Sequence, residues 1–417
     1  MTALGRRLRA RKTPTMYRSC LALLIVACTG GVARAETITE ADVIRLARTR
    51  DPNALAAREA TSVAEAEEVR ASLYPNPSLG WERESLPGRV TGREIEDSVF
   101  LTVPIDFTGR RPALKALARS GASNARARAA RTQGEAVADA LGAFYDALAA
   151  DRDVQIATQA VTRVEEAARV VRRRHEEGTT SGYERTRLEL EAELARSRLR
   201  QAETRARVAR ATLVALLGVD GASMELRGDF ATADPTPSPP SANRERPSIR
   251  FLRTAETDAR EARAAAGWAW VPTLSLSGGL WISEATESRY GYVAGVSLSV
   301  PVFSWGQELR AESSARERFA AAEVRVADRA TRIETVRARE QLVSARQEIS
   351  RFSEATHSRV ELLERAVQSG YREGDRSVVE LVDAQRARTD VDRRLLELEL
   401  LAKQAEIELR AARGEFE

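Results

Sequence analysis

The sequence predicts a mainly α chain with a small β part, built from two tandem copies of one unit in which a strand pair feeds a long helical hairpin. Three observations predict it. Landmarks recur at a nearly constant offset across the chain. Long stretches rich in Ala, Arg, Glu and Leu run without internal proline. Short segments of two-residue alternation stand before each long stretch.

The N-terminal segment is set aside first. Arg6, Arg7, Arg9, Arg11, Lys12 and Arg18 precede the apolar run Cys20–Ala27, and Ala33-Arg34-Ala35 follows as a small-residue cleavage pattern. That arrangement reads as a secretory signal over 1–35. An alternative is a lipoprotein signal, Ile25-Val26-Ala27-Cys28, which would leave a lipidated Cys28. Removal of 1–35 takes away seven positive residues and no acids, so the formal charge moves from +4 to −3. Net charge then gives no case for nucleic-acid binding. Cys20 and Cys28 both leave with the leader, so no disulfide is expected.

The repeat is carried by four landmarks. Asp51-Pro52-Asn53 matches Arg246-Pro247-Ser248, and Tyr74-Pro75 matches Val271-Pro272. Leu101–Ile105 matches Leu298–Val302, and Glu177-Gly178 matches Glu373-Gly374. The expected organisation is a leader over 1–35, a first copy over 36–227, a Pro-rich linker over 228–246 and a second copy over 247–417. The segment Gly228–Pro240 cannot continue a helix and reads as extended.

Within each copy the elements follow in order. A helix is expected over 40–72, ending at Leu73-Tyr-Pro-Asn-Pro77, because proline stops it. Strands follow at about 78–85 and 97–105. In the second, Val99, Leu101, Val103 and Ile105 alternate with Ser98, Phe100, Thr102 and Pro104. The second copy repeats this with Leu274, Leu276 and Leu280, and with Tyr292, Val296 and Leu298. One apolar face and one small or polar face suits a wall between lipid and water. Trp81, Trp281, Tyr290, Phe303 and Trp305 stand near strand ends, where an aromatic girdle would lie. A soluble β-sandwich edge is the plainer reading, but four strands do not build one alone.

Residues 112–176 then read as one rod, about 100 Å long at 1.5 Å per residue. Val137, Leu141, Phe144 and Leu148 give a seam spaced 4-3-4. The stretch after Trp305 is as long. Each rod ends at a glycine, and Ser181-Gly-Tyr-Glu184 and Ser377-Val-Val-Glu380 open return helices over 182–217 and 378–412 as capping boxes. The return helices fall short of the rods by about the length of the helices at 40–72 and 247–269. Stacked end to end, the two sets would complete a wall of even height.

No phosphate-binding loop, zinc-protease motif or cysteine-rich metal pattern occurs, so neither an enzyme nor a cofactor site is expected. His175 and His357 are a poor inventory for a metal centre, and His175 reads as a solvated tip residue.

These segments resemble the TolC-like outer membrane efflux family. The resemblance rests on Gly370–Gln385, which is similar to the family's Gly-x-x-Ser-x-x-Asp/Glu-Leu-Leu-Asp-Ala segment. Leu73–Leu79 with Phe100–Arg111 is similar to the CzcC-type heavy-metal branch. The resemblance implies a homotrimer whose subunits give four strands each to a twelve-stranded transmembrane β-barrel, and their helices to a periplasmic α-barrel. It implies a periplasmic adaptor and an inner-membrane pump, of RND type, as partners. It also points to the tips. Glu373, Asp375, Arg376, Glu380 and Asp383 are candidates for a gate or cation-selective ring. Glu177, Gly178, Thr179, Ser181, Gly374 and Ser377 are candidates for adaptor contact. The expected function is a passive exit duct for heavy-metal cations or small toxic compounds. A type I protein secretion duct uses the same fold and stays open as the alternative, as do a periplasmic adaptor and a pore-less coiled coil.

Overall fold

The computed structural model describes residues 36–87, 93–219, 224–233, 245–284, 288–373 and 375–417. The expected leader with Cys28, the tip residue Gly374, and 234–244 of the linker lie outside the described residues.

A short strand β1 (Glu36–Thr39) leads into α1 (Glu40–Arg50), where Thr39 and Asp42 form a reciprocal capping box. The helix expected over 40–72 is in fact two helices. Asp51 holds an extended ψ of 124° ahead of Pro52, and its carboxylate accepts from Ala54 N at 2.8 Å to start α2 (Pro52–Ser72). The residue before proline avoids the helical region, and proline fits the first turn of a new helix.

Strands β2 (Ser78–Pro87) and β3 (Arg93–Ile105) precede the rod α3 (Arg110–Glu176) and its return helix α4 (Gly182–Leu217). Gly218, at φ 58°, ends α4 in the left-handed conformation that favours glycine. After β4 (Met224–Arg227) come α5 (Pro247–Ala266), β5 (Thr273–Glu284) and β6 (Ser288–Ser299). The chain closes with α6 (Gln307–Glu373) and α7 (Val378–Ala412). Both rods have 67 residues.

β1 and β4 pair in parallel, Glu36 opposite Met224 through Thr39 opposite Arg227. This pair was not expected. It buries Ile38 among Val43, Leu141, Phe144, Leu213 and Phe230 at mid-height. Residues 228–233 are irregular but fastened rather than free. Phe230 is buried, Ala231 O accepts from Lys403 Nζ at 3.2 Å, and Ala233 N donates to Glu406 Oε1 at 2.9 Å.

The helices form two storeys. In the storey next to the strands they lie in the order α2, α3, α5, α6. Arg126–Glu65, Ser120 Oγ to Ala255 O, and Arg263–Glu317 cross its three seams. In the far storey the order is α4, α3, α7, α6. The storeys stack end to end. Arg50 donates to Gly218 O at the end of α4, and the Glu417 carboxylate accepts from Ser248 N at the start of α5 at 2.9 Å. A carboxylate there also complements the helix dipole. Alanine dominates the seams, as at Ala113, Ala122, Ala147, Ala202, Ala259 and Ala402, all fully buried or nearly so. Small seam residues let long helices approach closely along their whole length.

Candidate functional site

The four-stranded sheet runs in the order β2-β3-β5-β6, antiparallel throughout. Its register sorts the side chains. Leu79, Leu101, Gly278 and Ala294 share one row, and Trp81, Val99, Leu280 and Tyr292 the next. Val103, Leu276 and Val296 form a row towards the helices, and Ile105, Leu274 and Leu298 another. This face is apolar and open: Leu79 is 76% exposed, Val296 72% and Tyr292 84%. The opposite face carries Ser275, Ser277, Gly279, Ser297 and Ser299. From Val99 to Ile105 the band spans about 20 Å at 3.3 Å per residue, and Phe107 and Val300 extend it. A contiguous apolar face of this size on one chain requires a nonaqueous neighbour.

Aromatic residues bound the band at both ends. Trp81, Tyr290 and Tyr292 stand at the outer end, with Arg83 bonded to Asp97 beside Trp81. Tyr74, Trp268, Trp270, Phe303 and Trp305 stand where strands become helices. There Arg111 stacks on Tyr74 at 3.4 Å and Arg310 on Trp305 at 4.1 Å. Arg110 bonds Glu308 at 2.5 Å and so joins the starts of the two rods. Among the described residues no helix is long and apolar enough to cross a membrane.

At the far end, about 100 Å away along the rods, two tips stand together. In the first, Gly178 at φ 76° allows the turn, and Thr179 donates from N and Oγ1 to Arg174 O. Ser181 Oγ accepts from Glu184 N at 3.3 Å, so half of the expected capping box forms. In the second tip the box is complete. Ser377 Oγ accepts from Glu380 N, and Glu380 Oε2 accepts from Ser377 N at 2.9 Å. Arg376 adds a bond to Glu380 at 2.7 Å. The Ser377 N–H first, and then Arg376, hold the Glu380 carboxyl below the usual glutamate range.

Of the sequence candidates, Glu177, Gly178, Thr179, Ser181, Glu373, Asp375, Arg376, Ser377 and Asp383 are all exposed at these tips. The five gate candidates do not form one cluster within the chain. Glu380 and Arg376 hold each other, Glu373 accepts from Ser369 at 3.0 Å, and Asp383 faces solvent on the next turn.

The residues that link the two tips escaped the sequence reading. Arg174 donates to Tyr371 O at 3.2 Å and lies over its ring at 4.9 Å. Burial raises the Tyr371 phenol. Beneath it Val164, Val171, Leu188, Val367, Val378 and Leu381 form a small apolar core shared by all four helices. Tyr371, a large aromatic one turn before a charged turn, was the available signal.

Behind this core lies a ladder of ion pairs between the two hairpins. Glu191 of α4, 5% exposed, takes two bonds from Arg386 of α7, with Arg198 at 3.9 Å. One heptad further, Asp153 of α3 takes Arg393 of α7 at 2.9 Å and Arg205 of α4 at 3.5 Å. Arg152–Glu399 and Asp146–Gln404 continue the ladder towards mid-height. Each acid of the first two rungs thus holds one arginine from each hairpin.

The assembly of parts is therefore an apolar strand sheet with two open edges, a long helical stalk and a charged double tip. A search of curated protein sequences gives no match. Solved structures do match in fold. CusC superposes with a TM-score of 0.72 at 18% identity, covering 90% of this chain and 92% of that one. The outer-membrane channel OprN gives 0.73 at 16%, covering 90% and 89%. VceC of Vibrio cholerae, an outer membrane protein, gives 0.71 at 15%, covering 90% and 96%. The sequence profile described as "Outer membrane efflux protein" matches twice, over residues 43–219 and 239–415. With both halves of the chain matched in turn, the protein belongs to the outer membrane efflux protein family.

Proposed function

We propose that this chain is one subunit of a trimeric outer-membrane duct, the passive exit of an efflux assembly that also contains a periplasmic adaptor and an inner-membrane pump. The observation that carries this reading is the agreement of edges at three heights. The sheet ends in β2 on one side and β6 on the other. The upper storey ends in α2 and α6, and the lower in α4 and α6. One side of the subunit is thus β6 and α6 throughout, and the other is β2, α2 and α4. An open sheet edge is not tolerated in hydrocarbon, so β6 must meet β2 of another copy. Head-to-tail contact of this kind closes into a ring.

The helix edges support it. On α6, Phe319, Val326 and Ile333 recur every seven residues and are 52%, 68% and 59% exposed. On the opposite edge, Leu55, Val63 and Val69 of α2 and Leu190, Leu194 and Val208 of α4 are also exposed. Heptad spacing is what a long helix seam requires. The two profile matches, with two 67-residue rods each followed by a return helix, support an internal duplication over 36–227 and 247–417.

In this reading the tips face the adaptor through Glu177, Thr179, Ser181 and Ser377. Three copies of Glu373, Asp375 and Asp383 would ring the axis, favouring cations and holding the end narrow. Heavy-metal cations or small toxic compounds are the proposed cargo, supported by the CzcC-type resemblance of 73–79 and 100–111. A protein secretion duct remains the second reading, because a passive tunnel of this build need not recognise its cargo. Growth of a deletion strain on metal salts, scored against its secreted proteins, separates the two.

Cross-linking tests the ring. Cysteines at Val63 and Val326 in one chain are expected to give a ladder that stops at three chains. A ladder without end, or none, would remove the closed trimer.

A further inference from the structure

We propose that the exported chain begins at Glu36 and enters the membrane through its strands alone, because the fold sets β1 beyond the reach of a lipid on Cys28. This rests on the outer-membrane placement of the sheet. Two leaders are open in the sequence, cleavage after Ala35 and acylation at Cys28. A lipoprotein leader leaves its acyl chains in the bilayer, so the chain that follows must cover the distance from the membrane to β1.

Heights along α3 give that distance. The apolar band of the sheet ends beside Ile105 and Phe107, and α3 starts at Arg110. β1 lies far down this rod. Ile38 is buried in the cluster that holds Leu141 and Phe144, and Glu40 accepts from the Tyr145 hydroxyl at 2.6 Å. From Arg110 to Tyr145 the helix rises about 50 Å at roughly 1.5 Å per residue. Glu36 is no nearer the membrane. It pairs with Met224, whose carbonyl accepts from Arg210, and Arg210 is bonded to Asp151, further down the rod.

The chain available to cover it is short. Cys28 stands eight residues before Glu36, and eight residues fully extended span at most about 29 Å. The shortfall is about 20 Å, or roughly six more residues of extended chain. Those residues would be 36–41. Their release gives up the whole β1–β4 pairing, the burial of Ile38, the Thr39 cap and the bonds of Glu40 to Tyr145 and Arg410. An acylated Cys28 therefore allows the lipid in the membrane or β1 on its partner, and not both. Cleavage after Ala35 has no such conflict. It cuts directly before the first residue of β1 and leaves the strand intact.

N-terminal sequencing and intact mass of the protein extracted from outer-membrane fractions test this. The expected chain starts at Glu36 and has the mass of 36–417 without an adduct. Cys28→Ser should change neither that mass nor the yield of inserted protein. Replacing 1–27 by a strong lipoprotein leader forces acylation at Cys28, and inserted protein should then be lost. A spacer of about twelve residues ahead of Glu36 should restore it, because the tether then spans about 70 Å. An acylated Cys28 at the start of the unaltered chain would overturn the proposal. So would full insertion of the forced lipoprotein without the spacer. A soluble periplasmic chain that starts at Glu36 would strike the membrane placement of the sheet and leave the cleavage site standing.

Discussion

At the scale of single residues, the tips and the ladder behind them are held by very different chemistry. The Ser377–Glu380 box is exposed, so Ser377→Ala should cost about 1 kcal/mol, read as faster hydrogen exchange at the first amides of α7. Glu380 titrates below its ordinary value. Its contribution is therefore complete above the unfolded pKa and is lost as the pH falls through the lower folded one. Exchange at Leu381 should rise only in that acid range. Glu191 is buried, and removal of Arg386 leaves it, among the described residues, only the longer pair with Arg198 at 3.9 Å. Arg386→Met should destabilise by about 2–3 kcal/mol, less than a fully buried pair because Arg386 is partly exposed. The double variant with Glu191→Leu should recover most of the loss, as a denaturant titration of the set would show. Asp139 has the opposite sign. Partial desolvation of this exposed side chain, with Glu135 and Asp51 nearby, raises its pKa. Its ionised form weakens the fold above that raised value, and the deficit shrinks as the pH falls. Asp139→Asn should raise the unfolding temperature at pH 7 and lose that advantage near pH 4.

At the scale of elements, the sheet makes a sharp distinction between neighbouring positions. Leu276 lies on the exposed apolar face and Ser277 on the other. In the proposed barrel, Leu276→Arg should cost about 2–4 kcal/mol of stability near the middle of the band, and Ser277→Arg far less. The yield of membrane-inserted protein measures both. Much of this scale was legible in the sequence. The return helices were expected over 182–217 and 378–412, and those are their bounds. Glycine turns and Ser-x-x-Glu boxes are local signals that tertiary structure had no reason to override. The break at Asp51–Pro52 was missed although its signal is also local, because helix-forming residues flank it on both sides. The β1–β4 pair was missed for another reason. Four residues give no periodicity, and its partner strand lies nearly half the chain away. The ion-pair ladder was equally hidden. Heptad spacing of Arg198 with Arg205, and of Arg386 with Arg393, is visible, but a chain this rich in arginine does not reveal which acids those side chains meet.

At the scale of the whole molecule, a single chain is incomplete in the same way at every height. Its strands leave two edges unpaired, and its outer helices carry apolar stripes open to water. Val326→Asp, in the middle of the α6 stripe, should weaken assembly while leaving far-UV circular dichroism unchanged, since that side chain is 68% exposed among the described residues. The central claim is that these edges close on each other in the outer membrane. The most direct test is the native mass of the protein extracted from outer-membrane fractions, corrected for bound detergent. The expected mass is that of three processed chains. A monomer or dimer recovered from the soluble periplasm would contradict it.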